Sequence, residues 1–342
     1  MYQQRVKEAI NSIKKGEMII IMDDEDRENE GDLVMAGIFS TPQKINFMAQ
    51  EARGLICVSI TQDLAARLDL PPMVSKNDSN HETAFTVSID AKSARTGISA
   101  YERDMTIKLM CDVNTTPNDF VRPGHIFPLV AKEGGVLART GHTEASVDIC
   151  RLAGVLPLSV ICEIMKKDGT MAGRGDKFLL DFAKEQNLKI LYVSDIIQYR
   201  LNYENLVCKI TEENFIFLGV PCTRVIFRDH LGCRHTVFTF QTDSMHVPLV
   251  KFHTIKSDLA LLESATEFDD LTRGIAKIQK EGGYCIFLNA DSTQNKDVKN
   301  YGVGAQILRL LEVENFRLLS SSKSEYAALS GFNLKLIEKV EI

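Results

Sequence analysis

Seven carboxylates occupy ten consecutive positions, Asp23-Asp24-Glu25-Asp26-Arg27-Glu28-Asn29-Glu30-Gly31-Asp32, directly after the apolar run Met18-Ile19-Ile20-Ile21-Met22. Like charges gathered at the end of a strand repel one another, so a metal ion, an arginine or hydrogen-bond donors must offset them there. Arg27 is the only cation inside the segment. The composition suits a metal ion or a polyhydroxy ligand. A solvated charge run is the ordinary alternative, and the apolar flanks weaken it.

Three further segments could carry chemistry. Arg139-Thr140-Gly141-His142-Thr143 precedes a helix expected over 143 to 154. Free backbone N–H groups at a helix start, together with an arginine, suit a phosphate. His142 is left as a metal or acid-base group, with a structural histidine as its plainer reading. In Arg122-Pro123-Gly124-His125-Ile126-Phe127-Pro128 two prolines and a glycine stiffen the backbone around a histidine. That rigidity fits a positioned proton carrier, or simply a turn. Glu163 interrupts Val160-Ile161-Cys162-Glu163-Ile164-Met165, so its carboxylate must be partnered, shifted in pKa, or on an edge strand facing water.

Short apolar runs alternating with amphipathic stretches must position these groups, and they predict an α+β or α/β domain. Strands are expected at 17–22, 33–39, 54–60, 83–90, 125–131, 159–165 and 189–194. In 83–90, Phe85, Val87 and Ile89 alternate with Thr86, Ser88 and Asp90, which predicts an apolar face turned inward. Thr41-Pro42 opens a helix over 42–53, Ser99 and Glu102 form a capping box, and Lys166-Lys167-Asp168-Gly169 reads as a hairpin turn. A helix from Asp195 to about Asn205 closes the first domain, which sets domains at 1–205 and 206–342. In the second, strands come first and helices follow at 271–281 and 303–312.

The bulk numbers restrict the function classes. A chain of 342 residues with 44% hydrophobic and 25% charged residues is globular and long enough for two cores. The formal net charge of −6 equals that of the acidic loop alone, one arginine against seven carboxylates, and no basic face argues for nucleic acid. Membrane-span and signal-peptide patterns are missing, so a cytoplasmic protein is expected. No two of the eight cysteines form a CxxC pair, which argues against zinc ribbons and redox dithiols and for small buried hydrophobes. Nor does the loop read as an EF-hand: counting from Asp24, the position that needs glycine is Asn29.

Taken in order, DDEDRENEGD, RGLICVSIT, TAFTVSID, TGISAYERDMTIK, RPGHIFPL, GGVLARTGHTEASVD and VICEIMKKDGTMA closely resemble 3,4-dihydroxy-2-butanone 4-phosphate synthase over roughly residues 1 to 200. The resemblance implies a lyase of riboflavin biosynthesis that converts ribulose 5-phosphate to L-3,4-dihydroxy-2-butanone 4-phosphate and formate. It implies an α+β sandwich with a mixed sheet, working as a homodimer with sites at the subunit interface. Glu28 and His142 are implied as ligands of Mg²⁺, with Mn²⁺ tolerated. Arg27, Asp32 and Glu163 are implied as sugar contacts alongside them, and Arg139, Thr140, Gly141, His142 and Thr143 as the phosphate end. His125 and Glu163 are implied in proton transfer; Glu30, Thr96 and Cys57 match positions near the site. The leading Asp23-Asp24-Glu25-Asp26 is not required as a metal ligand.

Residues 301–340 resemble the C-terminal part of GTP cyclohydrolase II, which implies a second, smaller α+β domain. That family's zinc site needs three cysteines in a stretch corresponding to 251–271, and KFHTIKSDLALLESATEFDDL has none. Three thiolates cannot be replaced by His253 and scattered acids without changing the ion preference. The arginine-rich loop is replaced by ADSTQNKDVKN at 290–300, and the asparagine-asparagine-proline motif by Ser320-Ser321-Ser322. A retained fold without cyclohydrolase activity and without zinc is expected; an enzyme that also opens GTP is the alternative.

Overall fold

The computed structural model describes residues 2–25, 27–81, 83–241, 247–289, 296–320 and 334–341. Two compact units divide the chain, Met1–Tyr199 and Arg200–Ile342. In the first, the elements are α1 (Tyr2–Lys14), β1 (Ile19–Met22), β2 (Gly31–Ala36), α2 (Pro42–Phe47), β3 (Cys57–Ile60), α3 (Gln62–Arg67), β4 (Ile89–Ala91), α4 (Ala100–Cys111), β5 (Phe120–Val130), α5 (His142–Leu152), β6 (Ser159–Glu163), α6 (Lys177–Glu185), β7 (Lys189–Tyr192) and α7 (Val193–Tyr203). The unit boundary falls inside α7, a few residues before the expected 205.

The strands form one mixed sheet in the order β4-β5-β3-β6-β2-β1-β7. Pairing is parallel for β1 with β7 and for β3 with β5, and antiparallel elsewhere. Every residue of β1, β2 and β3 is buried, because helices cover both faces. One face carries Ile20, Met22, Leu33, Met35, Val58, Val160 and Cys162 into a core shared with Ile45, Met48, Ile107 and Met110. Fully burying side chains of this size stabilises by about 1.5–3 kcal/mol each. The opposite face presents Asp32, Cys57, Ile161 and Glu163, with Asp32 paired to Glu163 and Cys57 to Ile161. On that face α5 packs against β3, β6, β1 and β2.

Local chemistry accounts for the boundaries. The Thr41 hydroxyl caps α2 by accepting from the Lys44 N–H at 3.3 Å. The expected helix to residue 53 is realised only to Phe47; Met48–Ala52 continues as a π-turn, and Arg53 stops it with φ 68°. Ser99 accepts from the Glu102 N–H at 3.2 Å and starts α4. Lys166–Gly169 turns back on itself, with the Lys166 N–H donating to the Thr170 carbonyl at 2.8 Å.

The segment 83–90 departs from expectation in its burial. Ile89 is fully buried as expected and Val87 packs against the core while half-buried, but Phe85 is only half-buried and Thr86, Ser88 and Asp90 are buried as well; regular strand is confined to Ile89–Ala91. The reason lies in β5, whose backbone finds partners among the side chains of this segment. Polar side chains meet it: Thr86 donates to the Pro128 carbonyl at 3.2 Å, Ser88 accepts from the Gly124 N–H at 3.1 Å, and Asp90 accepts from the His125 N–H at 2.8 Å. Buried polar groups must be paired, and here they pair with the strand that bears His125. Glu163 likewise departs from its edge-strand reading, since β6 lies between β3 and β2.

The second unit contains β8 (Val207–Phe217), β9 (Val220–Asp229), β10 (Arg234–Phe240), β11 (Leu249–Thr254), α8 (Asp258–Glu263), α9 (Ala265–Glu281), β12 (Gly283–Leu288), α10 (Lys296–Leu310), β13 (Asn315–Leu319) and β14 (Lys335–Val340). Its mixed sheet runs β14-β13-β11-β12-β10-β9-β8. Leu249, Cys285, Phe238 and Phe240 of the sheet pack with Leu271, Ile275 and Ile278 of α9.

Close approach at Gly124 yields a test of how β4 and β5 hold His125. A Cβ there would lie 2.0 Å from the Ile89 carbonyl carbon and 2.3 Å from the Asp90 nitrogen. Because backbone cannot move aside as a flexible side chain can, Gly124→Ala should destabilise by about 1–3 kcal/mol. A fall of several degrees in the thermal midpoint is expected; an unchanged melt would refute the constraint.

Candidate active site

A cavity of about 380 Å³ opens on the α5 side of the first sheet, lined among others by Arg27, Glu28, Glu30, Asp32, Cys57, Arg139, His142, Thr143 and Glu163. Three elements converge to build it. The acidic loop joins β1 to β2, β6 ends at Glu163, and α5 begins at His142.

The acidic loop is organised by Asp23, which is fully buried. Its oxygens accept from the Glu30 N–H at 2.9 Å, the Glu28 N–H at 3.1 Å and Arg27 Nη1 at 2.8 Å. Arg27 Nη1 also donates to Glu28 Oε2 at 2.7 Å. Asn29 takes the left-handed conformation, φ 54°, and its Oδ1 accepts from the Arg174 N–H at 2.9 Å. The turn leaves Glu28 and Glu30 both on the cavity wall. Of the other leading acids, Asp24 and Glu25 face Arg174 at 3.7 and 3.9 Å, and Asp26 lies outside the described residues.

His142 stands at the first position of α5, 6% exposed. Nδ1 lies 3.5 Å from Glu28 Oε2, while Nε2 lies 3.1 Å from the Glu30 carbonyl and 3.9 Å from Asp32 Oδ1. Burial alone would raise the Glu28 carboxyl, but the hydrogen bond to His142 and the Arg27 charge hold it down at about 2. Burial would lower His142, yet the Asp32, Glu28 and Asp23 carboxylates hold it up at about 9. Asp32 is driven upward by burial, reinforced by Glu163, Glu28 and Glu30. The net of these influences pushes Asp32 and His142 both toward the protonated form.

The donor set fits a hard divalent ion. Ligand atoms of Asp23, Glu28 and His142 lie within 4.8 Å of one another, and no other such group of three or more occurs among the described residues. Asp32 Oδ1 is buried without a hydrogen-bond partner. A buried oxygen in that state costs about 1–3 kcal/mol, which a cation or a ligand hydroxyl would relieve. Asp23 accepts from the loop through both oxygens, and Glu28 Oε2 accepts from Arg27, so the group is held in place by its own hydrogen bonds; carboxylate and imidazole donors of this kind suit a hard divalent ion.

The phosphate-end segment is arranged differently from a bare arginine clamp. Arg139 donates to Glu144 at 2.7 Å, to the His81 carbonyl at 2.8 Å and to Thr83 at 3.2 Å. Gly141 is the N-cap of α5 with no side-chain cap, so the first N–H groups of the helix have no intrahelical acceptor. Thr143 lines the cavity beside them; Thr140 and Gly141 are not among its lining residues.

His125 and Thr96 do not line this cavity either. They belong to a second cluster, where His125 Nδ1 lies 2.7 Å from Asp90 Oδ2 and Thr96 donates to Glu102 at 3.0 Å. Gly97 fits between them only without a side chain, its hypothetical Cβ falling 1.9 Å from Asp90 Oδ2 and 2.7 Å from His125 Nδ1. Asp90 thus fixes one imidazole nitrogen and leaves the ring 44% exposed. Sequence reasoning missed Asp90, His81, Thr83, Phe85, Leu129 and Ile161. The strand alternation contained a signal for Asp90, because a polar residue beside a proline-rich strand has backbone donors to meet. Cys57 lines the cavity, but burial pushes its thiol well above the normal range, so it is an unreactive wall.

These shifts fix a pH dependence. Glu28, depressed in the folded state, contributes stability above its unfolded pKa that is lost as pH falls toward 2. His142, raised, contributes stability below its unfolded pKa of 6.5 that is lost as pH rises toward 9. Metal-free protein should therefore lose thermal stability between pH 6.5 and 9, and His142→Gln should flatten that slope. Equal slopes would refute the pairing.

Comparison with known proteins identifies the family. The family model of 3,4-dihydroxy-2-butanone 4-phosphate synthase matches residues 7–199, and that of GTP cyclohydrolase II matches residues 259–341. A 3,4-dihydroxy-2-butanone 4-phosphate synthase from Helicobacter hepaticus is 68% identical over the whole of both chains. The crystal structure of RibBX, a two-domain 3,4-dihydroxy-2-butanone 4-phosphate synthase from A. baumannii, is 38% identical with a TM-score of 0.84 and covers 99% of each chain. A 3,4-dihydroxy-2-butanone 4-phosphate synthase solved in complex with two magnesium ions is 40% identical, covers 57% of this chain and 95% of its own, and has a TM-score of 0.53. The chain belongs to the 3,4-dihydroxy-2-butanone 4-phosphate synthase family and is a lyase of riboflavin biosynthesis that forms this product and formate from D-ribulose 5-phosphate.

Proposed function

We propose that the cavity of the first unit is the whole seat of this chain's chemistry, that it takes Mg²⁺ or Mn²⁺ at Glu28 and His142, and that a second copy of the chain completes it. The observation that carries the reading is the pairing of Glu28 and His142 at 3.5 Å in a cavity whose Asp32 oxygen is buried and unpartnered. When bound, the ion supplies a Lewis acid beside vicinal substrate oxygens.

The chain's own residues supply the remainder. Asp32 and Glu163, side by side across β2 and β6, meet the sugar hydroxyls, with Arg27 and Glu30 at the rim. The phosphate takes the end formed by Thr143 and the free N–H groups of α5, drawing on Arg139. Enolisation and loss of a hydroxyl need a group that removes a proton and one that returns it. Glu163 takes one of those roles. The water lost at this stage is matched by the one consumed in cleavage, so sugar phosphate is converted to product and formate without net hydration.

His125 takes the second role from a partner protomer. Within one chain it stands in a cluster apart from the cavity, with its free edge exposed. In the same unit, Ile98 just before α4, Tyr101 and Met105 on α4, and Val121 of β5 are 54%, 69%, 39% and 43% exposed. Exposed apolar side chains of this density suit an isologous interface. Among the described residues no helix is long and apolar enough to cross a membrane, in keeping with a cytoplasmic homodimer.

The second unit we read as non-catalytic. The stretch that would hold three thiolates forms the end of β11, α8 and the start of α9 without a cysteine, and His253 packs edge-on against Phe287 at 5.5 Å. The segment 290–295 and residues Ser321 and Ser322 lie outside the described residues. The match to GTP cyclohydrolase II over 259–341 favours a second reading in which GTP is still opened.

Formate release from ribulose 5-phosphate with Mg²⁺ tests the first site. Glu28→Ala and His142→Ala should each reduce it by about a thousandfold or more, and retained activity in both would sink the metal assignment. The same protein given GTP should release no formate; turnover would establish the second reading. For the shared site, inactive His125→Ala and Glu28→Ala chains should regain about a quarter of wild-type activity when mixed and allowed to exchange, since half the dimers then carry one intact site. No recovery despite verified exchange would place His125 within its own protomer's site.

A further inference from the structure

Glu163 ends β6, yet its carboxylate does not simply project into the cavity. Oε2 accepts from the backbone N–H of Leu55 at 2.8 Å. The segment that delivers this donor is unusual throughout. Met48–Ala52 is a π-turn closed by the Arg53 N–H donating to the Met48 carbonyl at 3.3 Å, and Arg53 then takes the left-handed conformation, φ 68°. π-turns within helices concentrate at functional sites because they re-aim the chain that follows. Here the re-aimed chain runs antiparallel to the end of β6: Arg53 bridges to Ile164, and the Met165 N–H donates to the Ala52 carbonyl at 2.9 Å. The Arg53 side chain secures the same pairing by donating to the Met165 carbonyl at 2.7 Å.

Gly54 lies between these anchors, directly under the Glu163 carboxylate. A Cβ at position 54 would stand 2.4 Å from the Glu163 carbonyl oxygen, 2.6 Å from Oε2 and 2.7 Å from the Glu163 nitrogen. Two of those three atoms are backbone and cannot swing away. Gly54 has no positive φ, so its lack of a side chain answers to space and not to backbone conformation. The carboxylate folds back over an empty position to reach the next N–H.

We infer that Leu55 N–H, presented by the π-turn and reached across Gly54, is the positioning donor that holds the Glu163 carboxylate in its reactive orientation, which makes Gly54 and Leu55 positioning residues of the lyase reaction. The inference rests on the assignment of Glu163 to proton transfer. A fixed backbone donor suits that task because it orients one oxygen without adding a titrating group, leaving the other oxygen to the substrate. The donor is also independent of the Glu28–His142 pair on the far side of Asp32, so it should affect turnover without affecting the ion.

Two variants and one control decide it, all in the full-length protein. Gly54→Ala forces the carboxylate off its donor, and replacing Leu55 by its α-hydroxy acid analogue removes the N–H alone. Each should lower kcat for formate release by about 10- to 100-fold, while KM for ribulose 5-phosphate and Mn²⁺ affinity read by electron paramagnetic resonance change less than about threefold. A kcat within twofold of wild type in the ester variant overturns the inference, as does a parallel loss of Mn²⁺ affinity, which would mark a general scaffold role. Should Gly54→Ala fail to fold, the ester variant carries the test. Glu163→Gln separates the two levels: if it keeps wild-type turnover, the assignment of Glu163 fails; if it is inactive while the ester variant is not, only the positioning role fails.

Discussion

The electrostatic opposition between clustered carboxylates and a single buried imidazole governs the first unit. Glu28, Glu30, Asp32 and Glu163 line one cavity, and like charges gathered in a partly buried site repel more strongly than they would in water. The fold opposes that repulsion in layers. Arg27 bridges Asp23 and Glu28, His142 faces Glu28 and Asp32, and Leu55 N–H holds Glu163. Inside the cavity one oxygen of Asp32 is buried and without a hydrogen-bond partner. Within the cavity, that oxygen is a place where a cation or a sugar hydroxyl would find an unmet acceptor, and a local violation of this kind is expected at a binding site.

That constraint explains why the elements are ordered as they are. Two adjacent carboxylates, Asp32 and Glu163, can face each other across β2 and β6 only because α5 starts opposite them, bringing His142 and unpaired N–H groups to the same end of the sheet. The opposite face of the same strands is apolar throughout and packs against α2, the π-turn and α4. The π-turn has a double duty in this arrangement. Met48 and Ala52 belong to that core, while the chain leaving the turn crosses to the catalytic side and meets Glu163.

Much of this was legible in the sequence, for identifiable reasons. The acidic loop, the glycine-capped start of α5 and the lone glutamate of β6 are local signals, readable from charge density, capping chemistry and an interrupted apolar run. The alternation in 83–90 misled because periodicity assumes that apolar residues are the ones needing burial. There Ile89 is buried as the alternation implies, but Thr86, Ser88 and Asp90 are buried too, because the backbone of β5 meets their side chains as hydrogen-bond partners. The role of Asp23 was similarly hidden: its carboxylate looked dispensable as a metal ligand, and its work is to accept the loop's own N–H groups. Gly54 was unreadable in the sequence, because its significance lies in a Cβ clash with a residue more than a hundred positions away.

The second unit illustrates how separable a fold is from a site. Its core depends on Leu249, Phe238, Phe240 and Cys285 meeting Ile275 and Ile278 of α9, all of them set by hydrophobic period and none by chemistry at the ends of the strands. Substitutions at exposed positions away from these residues leave that packing intact, whereas in the first unit removal of one member of the cavity cluster would leave buried charge unopposed. The asymmetry follows from burial. Site residues that sit at exposed strand ends cost the fold little when they are lost, but site residues that neutralise one another inside a cavity, as Glu28, Asp32 and His142 do, are part of what keeps that cavity folded. Drift of sequence can erase the first kind of site and leave the scaffold standing, and the second kind persists only as a complete set.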